Sequence, residues 1–189
     1  MSEAPYDSRP DTYAHIGRVR HYLGRAVANL IGRADAHDAS KLVEPELEAF
    51  DRMTPLLATL TYGTDEYKAS LAELGVALEH HYAANSHHPE HYPDGIAGMS
   101  LFDLVEMLVD WKAASERMRK PMPAAPGRPD APQYDDDFLR SIGLNQERFG
   151  YSEELRSVLE NTARELGFTR ADDALTSALP AAEQQGDRR

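Results

Sequence analysis

Residues 64–91 read TDEYKASLAELGVALEHHYAANSHHPEH. The hydroxyl of Thr64 is a candidate helix cap, and Tyr67, Leu71, Leu74 and Leu78 follow every three or four residues, the spacing that puts side chains on one face of an α-helix. His81, Asn85 and His88 continue that face. The period therefore predicts one long helix, apolar at its start and polar at its end, stopped by Pro89 and the Pro93-Asp94-Gly95 turn. At about 100° per residue, His80 and His87 fall off the stripe and are expected to be exposed or to support the inward-facing pair.

Working outward, Ile16, Val19, Leu23, Ala26, Val27 and Leu30 predict a first helix over about 11–33 whose apolar stripe faces a core. A second helical stretch follows over 34–42. Pro45 suits the first turn of a short helix through Asp51, because its missing N–H is no loss there. Residues 53–64 read as a loop. Ser100 with Asp103 three residues on resembles a capping box that starts a helix through about Arg119. Residues 121–132 contain five prolines, so they form a linker or extended strap and cannot propagate a helix. Ser152 opens a last helix with Leu155, Leu159, Thr162 and Leu166 on one face, and Gly167 offers its stop. No strand alternation and no internal repeat is present. The expected fold class is all-α: a helical domain over 11–120, a linker over 121–132, a helical appendage over 133–168 and a disordered tail over 169–189.

The 189-residue chain carries 20 Lys and Arg against 32 Asp and Glu, a formal charge of −12. The acidic excess holds on both sides of residue 120, which argues against a binder of long nucleic acid, since such binding rests on basic patches and counterion release. A phosphorylated ligand would have to be met locally, by a metal or a few placed cations. There is no cysteine, so neither a disulfide nor a thiolate site can form. Residues 1–14 lack an apolar signal-like run, and uncharged stretches such as 53–64 fall short of the roughly 20 residues that cross a bilayer. A soluble, cytoplasmic protein with no membrane partner is expected; the sequence leaves its oligomeric state open.

The chemistry is concentrated in histidine. Five of eight histidines, His80, His81, His87, His88 and His91, lie within twelve residues, and His37 precedes Asp38 directly. Imidazole and carboxylate are the common ligands of borderline divalent metals, and a cysteine-free protein builds such sites from them. Two histidines and an asparagine on the stripe of one helix favour a shared ion, because each buried ring needs a partner and one ion satisfies several.

The order His15, then His37-Asp38, then the histidine cluster, then Asp110 resembles the HD-domain superfamily of metal-dependent phosphohydrolases over roughly residues 11–118. A closer likeness is to a phage-associated family of HD-like domains sharing His-Asp-x-Ser-Lys, the His-His-Tyr and Asn-x-His-His-Pro-Glu-His cluster, and Glu-Met-x-x-Asp-Trp, here Glu106, Met107, Asp110 and Trp111. The resemblance implies a helical bundle holding one or two divalent ions, drawn from Mn, Fe, Co, Ni, Zn or Mg. It implies His15, His37, Asp38 and Asp110 as a ligand quartet, with His81 and His88 as the extra ligands of two-metal members. The gap from His15 to His37 is short for the superfamily, which leaves His21 as a substitute. His91 stands where cyclic-dinucleotide hydrolases of the superfamily carry glycine.

The implied chemistry is attack of a metal-activated water on phosphorus. Lys41 resembles the lysine after His-Asp in many such hydrolases and is the expected phosphate contact, with Arg18 the second. Glu44 and Glu46 are candidate orienters of a ligand histidine. Met107 and Trp111 read as core. The expected function is hydrolysis of a nucleotide or other small phosphoester; a di-iron oxygenase and a metal-stabilised, non-catalytic binding protein are the alternatives.

Overall fold

The computed structural model of the chain describes residues 6–57, 59–60, 64–117, 121–122, 133–134 and 138–168. The fold is all-α. Its helices are α1 (Arg9–Ala36), α2 (Leu47–Leu57), α3 (Asp65–Ala72), α4 (Val76–Ala84), α5 (Leu101–Arg117), α6 (Phe138–Phe149) and α7 (Glu153–Glu165), with 3-10 turns at Ala39–Leu42, Pro89–His91 and Gly95–Gly98. In the proline-rich region, Pro121–Met122 pairs antiparallel with Gln133–Tyr134. The tail expected over 169–189 lies outside the described residues.

By compactness the chain falls into two units, residues 1–87 with 100–106, and residues 88–99 with 107–189. In the first, α1 runs unbroken to Ala36 and carries no buried residue. The stripe expected to face a core is open to solvent: Ile16, Val19, Leu23 and Val27 are 38–62% exposed. Helical periodicity identifies a face that can be covered; it does not say what covers it. The short helix expected at 45–51 is α2, which starts after Pro45 at Leu47 and runs on to Leu57, into the expected loop, where Met53 buries its side chain to 2% exposure.

The long helix expected from Thr64 to His88 is two helices and a turn. The chain breaks between α3 and α4 at Gly75, whose φ of 47° lies in the region that glycine alone enters without steric cost. Then α4 ends at Ala84, where Asn85 turns extended. Its backbone N–H and side-chain amide both donate to the carbonyl of His81, at 3.0 and 2.8 Å, so the helix end is satisfied from within. The expected capping box is present: Asp103 N–H donates to Ser100 Oγ (3.2 Å) while Ser100 N–H donates to Asp103 Oδ2 (2.8 Å).

The interior of this unit is unusual. Beside Met53, Leu74 and Ala77 it buries Glu46, Ser70, His81, Asn85, His87 and Asp103.

The second unit has an apolar interior of Met107, Leu108, Phe138, Ile142, Tyr151, Leu159 and Ala163, with Asn145 its one buried polar side chain among the described residues. Met107 is core as expected, and Trp111 stacks on Phe149 with ring centroids 6.1 Å apart and planes 4° from parallel. Between α6 and α7, Gly150 takes a left-handed φ of 67°, and Tyr151 donates its hydroxyl to the Ile142 carbonyl at 2.5 Å. Ser152 caps α7 by accepting from Leu155 N–H (3.3 Å). Gly167, at φ 78°, lets Phe168 N–H return to the Ala163 carbonyl (2.7 Å), the helix stop expected at that glycine.

Candidate metal centre

The site begins where α1 stops. His37 leaves helical geometry with ψ 125°, and Asp38 takes φ 55°, a left-handed conformation that aspartate tolerates better than most residues. Lys41 N–H donates to the Asp38 carbonyl at 2.9 Å, which starts the 3-10 turn and points Ser40 and Lys41 to opposite tasks. The last turn of α4 contributes His81. The turn after Asn85 contributes His87, and the first two turns of α5 contribute Asp103 and Glu106.

Each of the three histidines is gripped through Nδ1 by a glutamate. His37 Nδ1 and His87 Nδ1 lie 2.9 and 3.1 Å from Glu106 Oε1, and His81 Nδ1 lies 2.9 Å from Glu46 Oε2. A carboxylate at that distance assigns the proton to Nδ1, so each neutral ring presents the lone pair of Nε2. All three Nε2 atoms converge on one carboxylate. They lie 3.7 Å (His37, to Oδ2), 3.4 Å (His81, to Oδ1) and 3.6 Å (His87, to Oδ1) from Asp38.

Those separations exceed the roughly 2.7–3.2 Å of a hydrogen bond. They match the edge of a tetrahedron of ligands about 2.1 Å from a central ion, which is about 3.4 Å. Asp38 Oδ1 is buried and receives no hydrogen bond. An anionic oxygen facing nitrogen lone pairs is repulsive, and a buried carboxylate oxygen without a donor is costly. A cation between them removes both penalties, so this donor set fits a divalent ion. One ligand atom from each of Asp38, His81 and His87 lies within 4.8 Å of the others, and the same holds for His37, His87 and Glu106.

A second layer fixes these groups. Glu46, fully buried, also accepts from Ser40 Oγ at 3.0 Å and meets His80 Nδ1 at 2.7 Å. Arg33 donates from Nε to Glu106 Oε2 (2.7 Å) and from Nη2 to Ser86 Oγ (3.0 Å), and it also pairs with Asp103. Ser86 Oγ donates to Asp103 Oδ1 at 2.7 Å. Burial works to raise the Glu46 carboxyl, but hydrogen bonds from His80, Ser40 and His81 outweigh it and hold the group below the ordinary range. Burial likewise works against the charge on Asp38, and Lys41 overcomes it, so Asp38 also stays ionised. Burial, then the nearby Lys41 charge, pushes His81 below the ordinary histidine range despite Asp38 and Glu46, favouring the neutral ring that a ligand needs.

Of the residues expected from sequence, the structure brings together His37, Asp38 and His81, with Lys41 Nζ 2.5 Å from Asp38 Oδ2. Glu46 orients a histidine, whereas Glu44 is exposed. His15, Arg18 and His21 stand exposed on α1. The unbroken helix carries them about 24–33 Å from His37 along its axis, at 1.5 Å per residue. Neither His15 nor its substitute His21 is gathered into this cluster. His88, half-buried beside the Pro89–His91 turn, and Asp110, half-buried on α5, belong to the second unit. His80 is 44% exposed at its side chain, in keeping with its place off the stripe.

His87 departs from expectation, being only 2% exposed. The helical phase that placed it outward does not extend past Ala84. Asn85 is the signal that marks this, an asparagine just after the last periodic residue being a common helix stop. Glu106 and Ser40 stand in the Glu-Met-x-x-Asp-Trp and His-Asp-x-Ser-Lys motifs, which give neither of them a role, and Arg33 has no local signal.

The chain belongs to a family of unknown function, DUF5662, whose model matches residues 4–165. No curated protein and no solved structure matches it.

Proposed function

We propose that this member of a family of unknown function is a divalent-metal-dependent hydrolase of a small phosphoester. The observation that carries the reading is the Asp38 carboxylate, whose Oδ1 is buried without a hydrogen-bond donor and which is faced by three imidazole Nε2 atoms. His37, Asp38, His81 and His87 would hold the ion. When bound, it would supply an acidified water and a Lewis acid for a phosphoryl oxygen.

The chain's own residues do the rest. Glu46 and Glu106 keep the proton on Nδ1 of each ligand histidine and so keep each Nε2 a donor of electrons. Arg33 holds Glu106 in place through the bond from Nε to Oε2. Lys41, a third exposed at the rim of the cluster, is within reach of a phosphate that arrives from solvent. The net charge of −12 disfavours a long polyanion and favours a small substrate whose charge is offset locally. The His-Asp-x-Ser-Lys motif and its likeness to HD phosphohydrolases supply the reaction class.

The test is phosphate release from a panel of nucleoside mono-, di- and triphosphates and aryl phosphates, with Mn²⁺ or Co²⁺ added. Activity that EDTA abolishes and His81→Ala removes supports the reading. Stoichiometric metal without turnover moves the protein to the binding class, and oxygen-sensitive iron with visible absorption moves it to the oxidative one.

A further inference from the structure

Among the described residues, Lys41 is the lysine that pairs with the Asp38 carboxylate. Its Nζ lies 2.5 Å from Asp38 Oδ2 and 5.0 Å from the centre of the Phe50 ring, while its side chain keeps 32% of its surface open to solvent. Oδ2 is also the oxygen nearest His37 Nε2. An ammonium in that place and an ion held by the same carboxylate repel each other across a few ångströms in a half-buried setting, where charges are poorly screened.

We infer that Lys41 is an internal counter-ion that occupies Asp38 until metal replaces it, so that metal binding and release of the Lys41 amine are one coupled event. This rests on the metal reading above and adds to it a built-in competitor that sets the affinity.

The geometry supplies the paired state and leaves a route to the displaced one. With the ammonium on Oδ2, the Asp38 charge is compensated and the cluster survives without an ion. The 3-10 turn roots Lys41 three residues from Asp38, and its four-carbon stem swings to solvent without disturbing the backbone bond from Lys41 N–H to the Asp38 carbonyl. Once displaced, the ammonium stands at the rim, free for an anionic oxygen. By linkage, whatever draws Lys41 away from Asp38 also tightens metal binding by the same factor. The side chain is thereby a link between loading of the ion and capture of a phosphate.

Calorimetric titration with Mn²⁺ and Zn²⁺ of the chelator-treated chain tests this. Lys41→Met, which keeps the stem and removes the charge, is expected to bind metal on the order of tenfold more tightly, within the usual range of site-to-site couplings. Its melting temperature without metal should fall, and Lys41→Arg should stay near the parent on both counts. In the parent itself, acetylation of the Lys41 amine, read by peptide mass spectrometry, should speed up several-fold on metal loading while Lys112 stays constant. If the parent binds metal and His81→Ala loses it, yet Lys41→Met binds no more tightly and Lys41 labels at one rate throughout, the counter-ion role is wrong and the metal centre stands. If the parent binds neither ion, both readings fall.

Discussion

The two units bury opposite kinds of surface. Among the described residues, the second encloses Met107, Leu108, Phe138, Ile142 and Leu159 around a single buried polar side chain, whereas the first encloses Glu46, His81, Asn85, His87 and Asp103 around three apolar ones. An apolar interior gains free energy as surface leaves water, at about 25 cal/mol per Å². A polar interior gains nothing that way and holds only while every group keeps its partner. The second unit therefore reads as structure; the first tolerates an expensive interior, which is what a site requires.

Substitutions should separate the two. The largest effect is expected in the apolar unit: Phe138→Ala should cost about 4 kcal/mol in urea unfolding, through lost burial and a cavity, with or without metal. A chelator-dependent cost at Phe138 would blur the comparison. In the polar unit, Glu46→Ala removes the acceptor of two histidines and should cost about 3 kcal/mol, the order seen when one partner of a buried charged pair is deleted. Unlike Phe138→Ala, it should also weaken metal binding by about 10- to 100-fold, measured by titration against a fluorescent chelator.

A smaller contrast lies within the histidines. His87→Ala should lower metal content well below that of His80→Ala, because His87 presents Nε2 to Asp38 while His80 meets only the outer oxygen of Glu46. The reverse ranking would return the ligand set to the uninterrupted helical phase.

Acid should also distinguish the units. In the folded chain His81, Asp38 and Glu46 all hold protons less readily than their ordinary values. As pH falls below the histidine range, about 6.5, the unfolded chain takes up protons first, and the first unit loses stability progressively through the carboxylate range. Protection of amide hydrogens from exchange, compared at pH 7 and pH 5, should fall in α4 before it falls in α7. The smallest effect belongs to the surface: removing the Arg164–Glu160 pair, 3.0 Å apart on α7, with Arg164→Ala should change stability by no more than about 0.5 kcal/mol.

These contrasts also show what the sequence made legible. The all-α class, the Ser100 and Ser152 starts and the Gly167 stop are local signals, decided by neighbours within four residues, and each appears in the structure. His81 was legible from its place on a helical stripe, Glu46 as an acid close to the His-Asp run, and His37 and Asp38 through the order that resembles HD domains. Long-range facts were not. Nothing within the first 36 residues says that α1 continues past Arg33 or that its apolar stripe stays open, and the pairing of Arg33 with Glu106 spans 73 residues. His87 was misplaced by running one helical phase through Asn85, a residue that ends helices. His15 and Asp110 come from the family likeness, His88 from that likeness and the same stripe, and Arg18 from its place one turn after His15.

The central claim is that the polar interior of the first unit is built around a cation. The most direct measurement is elemental analysis of protein purified without chelator, paired with thermal unfolding before and after EDTA and after ion is restored. The account predicts at least one bound divalent transition metal per chain, a melting temperature that drops on chelation and recovers on reloading, and loss of both signals in His81→Ala. A chain that carries no metal, takes none up from excess Mn²⁺ or Zn²⁺, and unfolds at the same temperature throughout would contradict it.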